Sequence, residues 1–282
     1  MARRPIAFVF AALLASCASV DRNTPLPFDQ TTVGTEKEAK PQALYLPTEV
    51  GRRPAALILS KCWASADSHE ADWGKRFASW GYVALVLDSL RPRGITTTCT
   101  SRGDSSARSN LPTTTRAMDV VAAVAYLRGR ADVDPDRVVA LGIDSGAATL
   151  VQAAQLGVTE KVRFKPFRAV VVSSAFCGGG DEARRFGGGG GDGAKLASDL
   201  LIMMGDRDDF DPGVMACRHL SEAIDRNGHD LRLKVYPDAH HLFDTPIPLH
   251  LSGDGNMIGR NPAAASQSIE DVRDFLDASL AR

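Results

Sequence analysis

No sign of charge dominates this chain: 33 Lys and Arg stand against 34 Asp and Glu in 282 residues. It therefore lacks the field that would gather nucleic acid or acidic substrates. It has no internal repeat and no heptad pattern, which removes solenoids and coiled coils. Its first apolar run, residues 6–15, is too short for the roughly 20 residues that a membrane-spanning helix needs. The glycines clustered at 178–193 follow no phosphate-binding pattern. No cofactor and no metal ion are expected. What remains is a chain that is 44% hydrophobic, enough for one sizeable core.

The N-terminus carries an export signal. Arg3 and Arg4 precede the apolar run, which ends in Leu14-Ala15-Ser16-Cys17. That pattern resembles a bacterial lipobox, with residues 1–16 as signal peptide and Cys17 as the lipidated first residue of the mature chain. Several acyl chains on one cysteine hold a protein at a membrane where one would not. Ala18 and Ser19 follow, with no Asp after the Cys, a pattern that implies sorting to the outer membrane. Residues 17–40 are polar and aperiodic and read as a tether, so the expected location is the periplasmic face of the outer membrane.

Cys62, Cys99, Cys177 and Cys217 remain. An even number in an exported chain suggests two disulfides, with three possible connectivities. Cys62–Cys99 and Cys177–Cys217 are preferred, because each pair joins loops at the same end of the proposed sheet. Four buried free thiols are the competing reading.

From residue 41 onward, apolar runs alternate with helical patterns, the mark of an α/β domain. Strands are expected at 55–59, 83–87, 138–141, 169–172, 200–204 and 231–236. Most are rich in Val, Ile and Leu without alternation, as in parallel strands covered on both faces. Helices are expected at 71–80, 114–127, 147–156, 213–227 and 264–280. In the second helix, Met118, Val121, Ala122 and Ala125 share one face, which predicts the core side. Asp134-Pro135-Asp136 predicts a turn.

Residues 142–146 read Gly-Ile-Asp-Ser-Gly. The two glycines fit a nucleophile elbow, G-x-Nu-x-G, in which a strand turns sharply into a helix. The centre of the motif is Asp144, and Ser145 comes one step later. If Ser145 were the nucleophile, its flanks would be Ile143 and Ala147, and a β-branched Ile would crowd the turn. Asp144 is therefore placed at the elbow. Ser145 opens the helix, its N–H serving as an oxyanion donor and its hydroxyl available as a cap.

Other segments extend the pattern. They include residues 54–59, Trp73, residues 80–89, Arg91-Pro92-Arg93-Gly94, residues 205–209 and residues 236–243. Together these resemble the dienelactone hydrolase family of α/β-hydrolases, and the resemblance covers nearly all of 50–282. It implies an α/β-hydrolase fold: a mostly parallel sheet with helices on both faces and no large cap domain. It also implies a nucleophile, an acid and a histidine in that order, which fall here on Asp144, Asp208 and His241. His241 is preferred over His240 by its spacing from Tyr236-Pro237 and Phe243. Asp206 and Asp209 read as solvated loop residues. The loop after the first strand of the resemblance is expected to form the oxyanion hole through the N–H of Cys62. It reads Ser60-Lys61-Cys62-Trp63-Ala64 where relatives often have His-Gly-Cys-Gly-Gly.

A carboxylate in the nucleophile's place changes the chemistry. Attack on an ester carbonyl gives an anhydride, whereas attack on saturated carbon gives an alkyl ester that activated water can cleave. Two carboxylates beside His241 would raise its pKa, and esterification of Asp144 would lower it again. The expected function is hydrolysis of a small ester, lactone or alkyl substrate. The alternative is a degenerate hydrolase that binds a ligand or partner at the cell envelope.

Overall fold

The computed structural model describes residues 40–63, 69–99, 111, 113–161, 163–177, 193–210, 213–253 and 255–282. The proposed signal peptide, Cys17 and all of the proposed tether except Lys40 lie outside them, as does most of the Gly-rich tract. Seven strands form one sheet: β1 (Lys40–Tyr45), β2 (Arg53–Leu59), β3 (Val83–Asp88), β4 (Val133–Ile143), β5 (Ala169–Ser173), β6 (Asp199–Gly205) and β7 (Leu231–Tyr236). Their order is β1-β3-β2-β4-β5-β6-β7. Only β1 runs antiparallel, pairing with β3 at one edge. A separate two-stranded ribbon joins β8 (His250–Leu251) to β9 (Met257–Ile258).

Among the described residues, six α-helices flank the sheet: α1 (His69–Ser79), α2 (Thr113–Gly129), α3 (Ser145–Ala153), α4 (Leu156–Lys161), α5 (Gly213–Ala223) and α6 (Pro262–Ala281). Strand residues alternate between two cores, as the period of a strand requires. Ala55, Leu57 and Leu59 face the core built with α2, α3 and α5. Ala56 and Ile58 face the core of α1 and α6, where Phe77 and Phe275 are fully buried. Burying each such phenylalanine contributes about 1.5–3 kcal/mol. The unbroken apolar runs follow from this two-sided burial.

The chain steps from β2 outward to β3, then crosses back over β2 to β4. In open α/β sheets, ligands bind at the carboxyl ends of the strands where the order reverses in this way, here the ends of β2 and β4. Because β2 and β4–β7 are parallel, the loops that follow them emerge on this same edge.

Several expectations are corrected. In α2 the buried face is Val120, Ala123, Val124 and Leu127, while Met118 is 58% exposed. The period is right and the phase is wrong. This helix is apolar almost all round, so two faces competed, and the one with more branched bulk packs inward. The helix expected at 147–156 ends at Ala153, and the one expected to reach 227 ends at Ala223. Both overruns have one cause. The segment 194–196 pairs with each chain: Leu156 N–H bonds Lys195 O at 2.8 Å, and Asp225 N–H bonds Ala194 O at 2.9 Å. In place of the turn expected at Asp134–Asp136 there is an irregularity within β4, where pairing with β2 jumps from Val133 to Val138. Strand β1 was not foreseen. Cys177, after β5, bonds Cys217 within α5 rather than in a loop.

Candidate active site

At the end of β4, Asp144 sits at φ 54°, ψ −115°. A non-glycine residue there costs about 1–3 kcal/mol and persists only where its surroundings hold it. The flanking glycines make the turn possible through close approach. A Cβ on Gly142 would lie 2.6 Å from Gly146 O, and one on Gly146 would lie 2.6 Å from Ser60 O. The first contact closes the elbow on itself, and the second sets it against the end of β2 and the loop that leaves it.

Asp208 follows β6 and His241 follows β7. Both are buried, as is Asp144. His241 Nδ1 lies 2.9 Å from Asp208 Oδ2, and its Nε2 lies 3.4 Å from Asp144 Oδ1. Phe210 N–H donates to the other oxygen of Asp208 at 3.3 Å. The His241 loop is held by two hydrogen bonds and a constrained backbone. Gly259 N–H donates to His241 O at 2.9 Å, Leu242 N–H donates to Ser174 Oγ at 2.8 Å, and Leu242 itself has φ 61°. The rings of Phe176 and Phe210 flank the imidazole at 5.7 and 4.4 Å. His240 turns away, with Nδ1 3.2 Å from Arg207 O, and Asp206 and Asp209 are exposed.

Burial alone would lower the pKa of His241, but hydrogen bonds to Asp144 and Asp208 and their charges outweigh it and push it up to about 9. At neutral pH the imidazole is therefore protonated. Burial would raise the pKa of Asp144. The His241 hydrogen bond and charge, with the N–H groups of Ser145 and Cys62, hold it below the usual carboxylate range instead. The nucleophile position thus carries a full anion.

Both expected oxyanion donors are engaged with that anion. Cys62 N–H donates to Asp144 Oδ2 at 2.8 Å, and Ser145 N–H also donates to the carboxylate. The Cys62 peptide is itself held. Cys62 is disulfide-bonded to Cys99, and its carbonyl accepts from Thr98 N–H at 2.6 Å and from the Thr97 and Thr98 hydroxyls at 3.3 and 3.1 Å.

Sequence reading missed Arg116. This buried guanidinium projects from α2, donating to Ser145 Oγ at 2.7 Å and to the Ser60 carbonyl. It joins the helix start to the oxyanion loop, and it engages the Ser145 hydroxyl that was expected to be available as a cap. Its signal was a charged residue next to an apolar helical run, which reads as surface until the packing is known. Lys61 was likewise read as a loop substitution; its ammonium pairs with the fully buried Glu70 at 3.0 Å. On the opposite face of the sheet, the core side of α1 and α6, a cleft holds a second buried pair, His69 and Asp244, 3.4 Å apart. Among the described residues, no group of three or more His, Cys, Asp or Glu is placed to hold a metal ion.

A mostly parallel sheet with helices on both faces, an elbow after β4 and acid and histidine loops after β6 and β7 define an α/β-hydrolase; the described residues contain no large cap. The chain belongs to the dienelactone hydrolase family, whose model matches residues 41–280. A sequence search of curated proteins finds no match. Similar solved structures share the fold at low identity. Thermogutta terrifontis esterase 2, phosphoramylated by tabun, is 18% identical with TM-score 0.60, the alignment covering 89% of this chain and 96% of that one. A Klebsiella pneumoniae protein assigned as a dienelactone hydrolase is 15% identical with TM-score 0.62, over 83% and 91%. A dienelactone hydrolase-like promiscuous phosphotriesterase from metagenomic libraries is 17% identical with TM-score 0.60, over 85% and 97%.

Proposed function

We propose that this protein is a hydrolase of small molecules in which Asp144 is the nucleophile, His241 the base and Asp208 the residue that orients it. The observation that carries this reading is the position of His241. Its ring joins Asp208 at 2.9 Å to Asp144 at 3.4 Å, at the carboxyl ends of the strands where such sites form. Asp144 Oδ1 attacks the substrate and forms a covalent ester. His241 then activates a water against Cγ of that ester, while the N–H groups of Cys62 and Ser145 hold the oxyanion that develops on Oδ2. The order of charges fits two steps. Asp144 is anionic when it must attack, and its conversion to a neutral ester removes one of the two charges that keep His241 protonated. Ser145 has no such base, since its hydroxyl is tied to Arg116.

Single turnover in water labelled with heavy oxygen, with enzyme in excess, tests the assignment. One labelled oxygen is expected on the peptide containing Asp144. A covalent adduct on Ser145 would move the nucleophile by one residue. Absence of both label and adduct would leave the ligand-binding reading of the same fold.

The enzyme is proposed to act at the periplasmic face of the outer membrane, with residues 1–16 removed, Cys17 lipidated and residues 17–40 as tether. Two disulfides suit an oxidising compartment. Cys17→Ala is expected to move the protein from the membrane fraction to the soluble fraction. An unchanged distribution would remove the lipid anchor from this account.

A further inference from the structure

We propose that the site takes substrates attacked at saturated carbon, such as small alkyl halides, and rejects the acyl esters and lactones that an oxyanion hole normally serves. This rests on Asp144 being the nucleophile. The Asp144 carboxylate spans two positions at once. Oδ1 lies toward His241 Nε2, at 3.4 Å, where a serine or cysteine nucleophile would stand. Oδ2 accepts from Cys62 N–H at 2.8 Å, and Ser145 N–H also serves the carboxylate. The hole is thus filled by the nucleophile's own second oxygen.

An acyl substrate needs those donors for its carbonyl oxygen as charge develops there. Arriving without them, it forfeits about 10²–10³-fold in rate for each donor. Displacing Oδ2 from the donors would leave a buried anion uncompensated. Saturated carbon makes no such demand, because no oxyanion forms when it is attacked. The donors instead become useful in the second step, when Asp144 itself is the acyl group.

The steps balance. A lone pair on Oδ1 forms the C–O bond, the C–X bond breaks, and X leaves with its electron pair. His241, no longer faced by the Asp144 charge, gives its proton to solvent. Water adds to Cγ as His241 takes a proton from it, and the oxyanion rests on Oδ2. Collapse expels the alkoxide, which leaves as the alcohol with the proton from His241. The Asp144 carboxyl proton then returns to His241. The net reaction is R–X plus water to R–OH, X⁻ and H⁺. Phe176 and Phe210, packed against the imidazole, place apolar surface beside the reacting groups, which suits an alkyl chain.

The test compares two four-carbon probes, 1-bromobutane and 4-nitrophenyl butyrate, on the wild-type protein and on Asp144→Ser. A serine hydroxyl reaches only the Oδ1 position, so this substitution empties the hole while keeping Asp208 and His241. The wild type is expected to release bromide through a butyl ester on Asp144, seen by intact-protein mass spectrometry. It should hydrolyse the butyrate at least about 10²-fold more slowly than Asp144→Ser does, and Asp144→Ser should release no bromide. Wild-type hydrolysis of the butyrate with Asp144 labelled, and no bromide release, would overturn the saturated-carbon class while keeping Asp144 as nucleophile. A wild type inert to both probes beside an active Asp144→Ser esterase would overturn the nucleophile itself. The wild-type comparison alone decides the class if the variant does not fold.

Discussion

His241→Gln is expected to lower steady-state turnover by about 10²–10⁴-fold, the usual contribution of a positioned general base, and to trap the covalent intermediate. The two effects belong together. Attack by Oδ1 requires only an ionised carboxylate, and Asp144 is held in that form by donors besides His241. Hydrolysis of the resulting ester requires a base, which glutamine cannot supply. Gln keeps much of the volume and a hydrogen bond toward Asp208, so the fold should survive. Pre-steady-state kinetics should show one fast equivalent of leaving group followed by near-arrest, with the adduct on the Asp144 peptide. Turnover equal to wild type would show that the histidine between the two carboxylates is not the base, whatever its geometry suggests.

Cys99→Ser is expected to cost both stability and activity, and the second disulfide provides the contrast. The Cys62–Cys99 bridge spans 37 residues and Cys177–Cys217 spans 40. Loops of that length each contribute about 4 kcal/mol in the chain-entropy model. In a domain of this size that corresponds to a fall in Tm of roughly 8–16 °C. The bridges differ in what they hold. Cys62 carries an N–H donor to Asp144, whereas Cys177–Cys217 ties the end of β5 to α5. Loss of the first should therefore also lower kcat, by up to about 10²-fold if the donor is lost; Cys217→Ala should lower Tm alone. The threonine bonds to the Cys62 carbonyl remain in Cys99→Ser, so part of the donor's placement should survive. Thermal melts, with kcat measured below both transitions, separate the two effects. Full kcat in Cys99→Ser would disconnect that bridge from the oxyanion loop.

Much of the frame could be read locally. Short runs of Val, Ile and Leu implied parallel strands covered on both faces, because two-sided burial leaves no polar alternation. The Asp144 elbow was legible for a steric reason. Only glycine fits at 142 and 146, where an added Cβ would meet backbone at 2.6 Å. Asp208 and His241 were expected from the family resemblance, and the parallel strands deliver the loops that carry them to one edge. The errors share a different origin. The face of α2, the ends of α3 and α5, and the edge strand β1 depend on partners far along the chain. The segment 194–196 ends two helices at once by offering backbone bonds that compete with the helical ones.

The functional question divides the same way. The sequence by itself determined that a carboxylate, not a hydroxyl, stands at the elbow, and that an acid and a histidine follow in hydrolase order. The first is a matter of residue type between two glycines, and the second follows from the resemblance to the family's pattern. Only the tertiary structure decided where the second oxygen of that carboxylate lies. Its position depends on Cys62, 82 residues away. The same holds for Arg116, which links the helix start to the oxyanion loop through contacts that span 29 and 56 residues. The elbow carboxylate meets the Cys62 donor only because a distant loop brings it within reach, and no local pattern encodes that meeting.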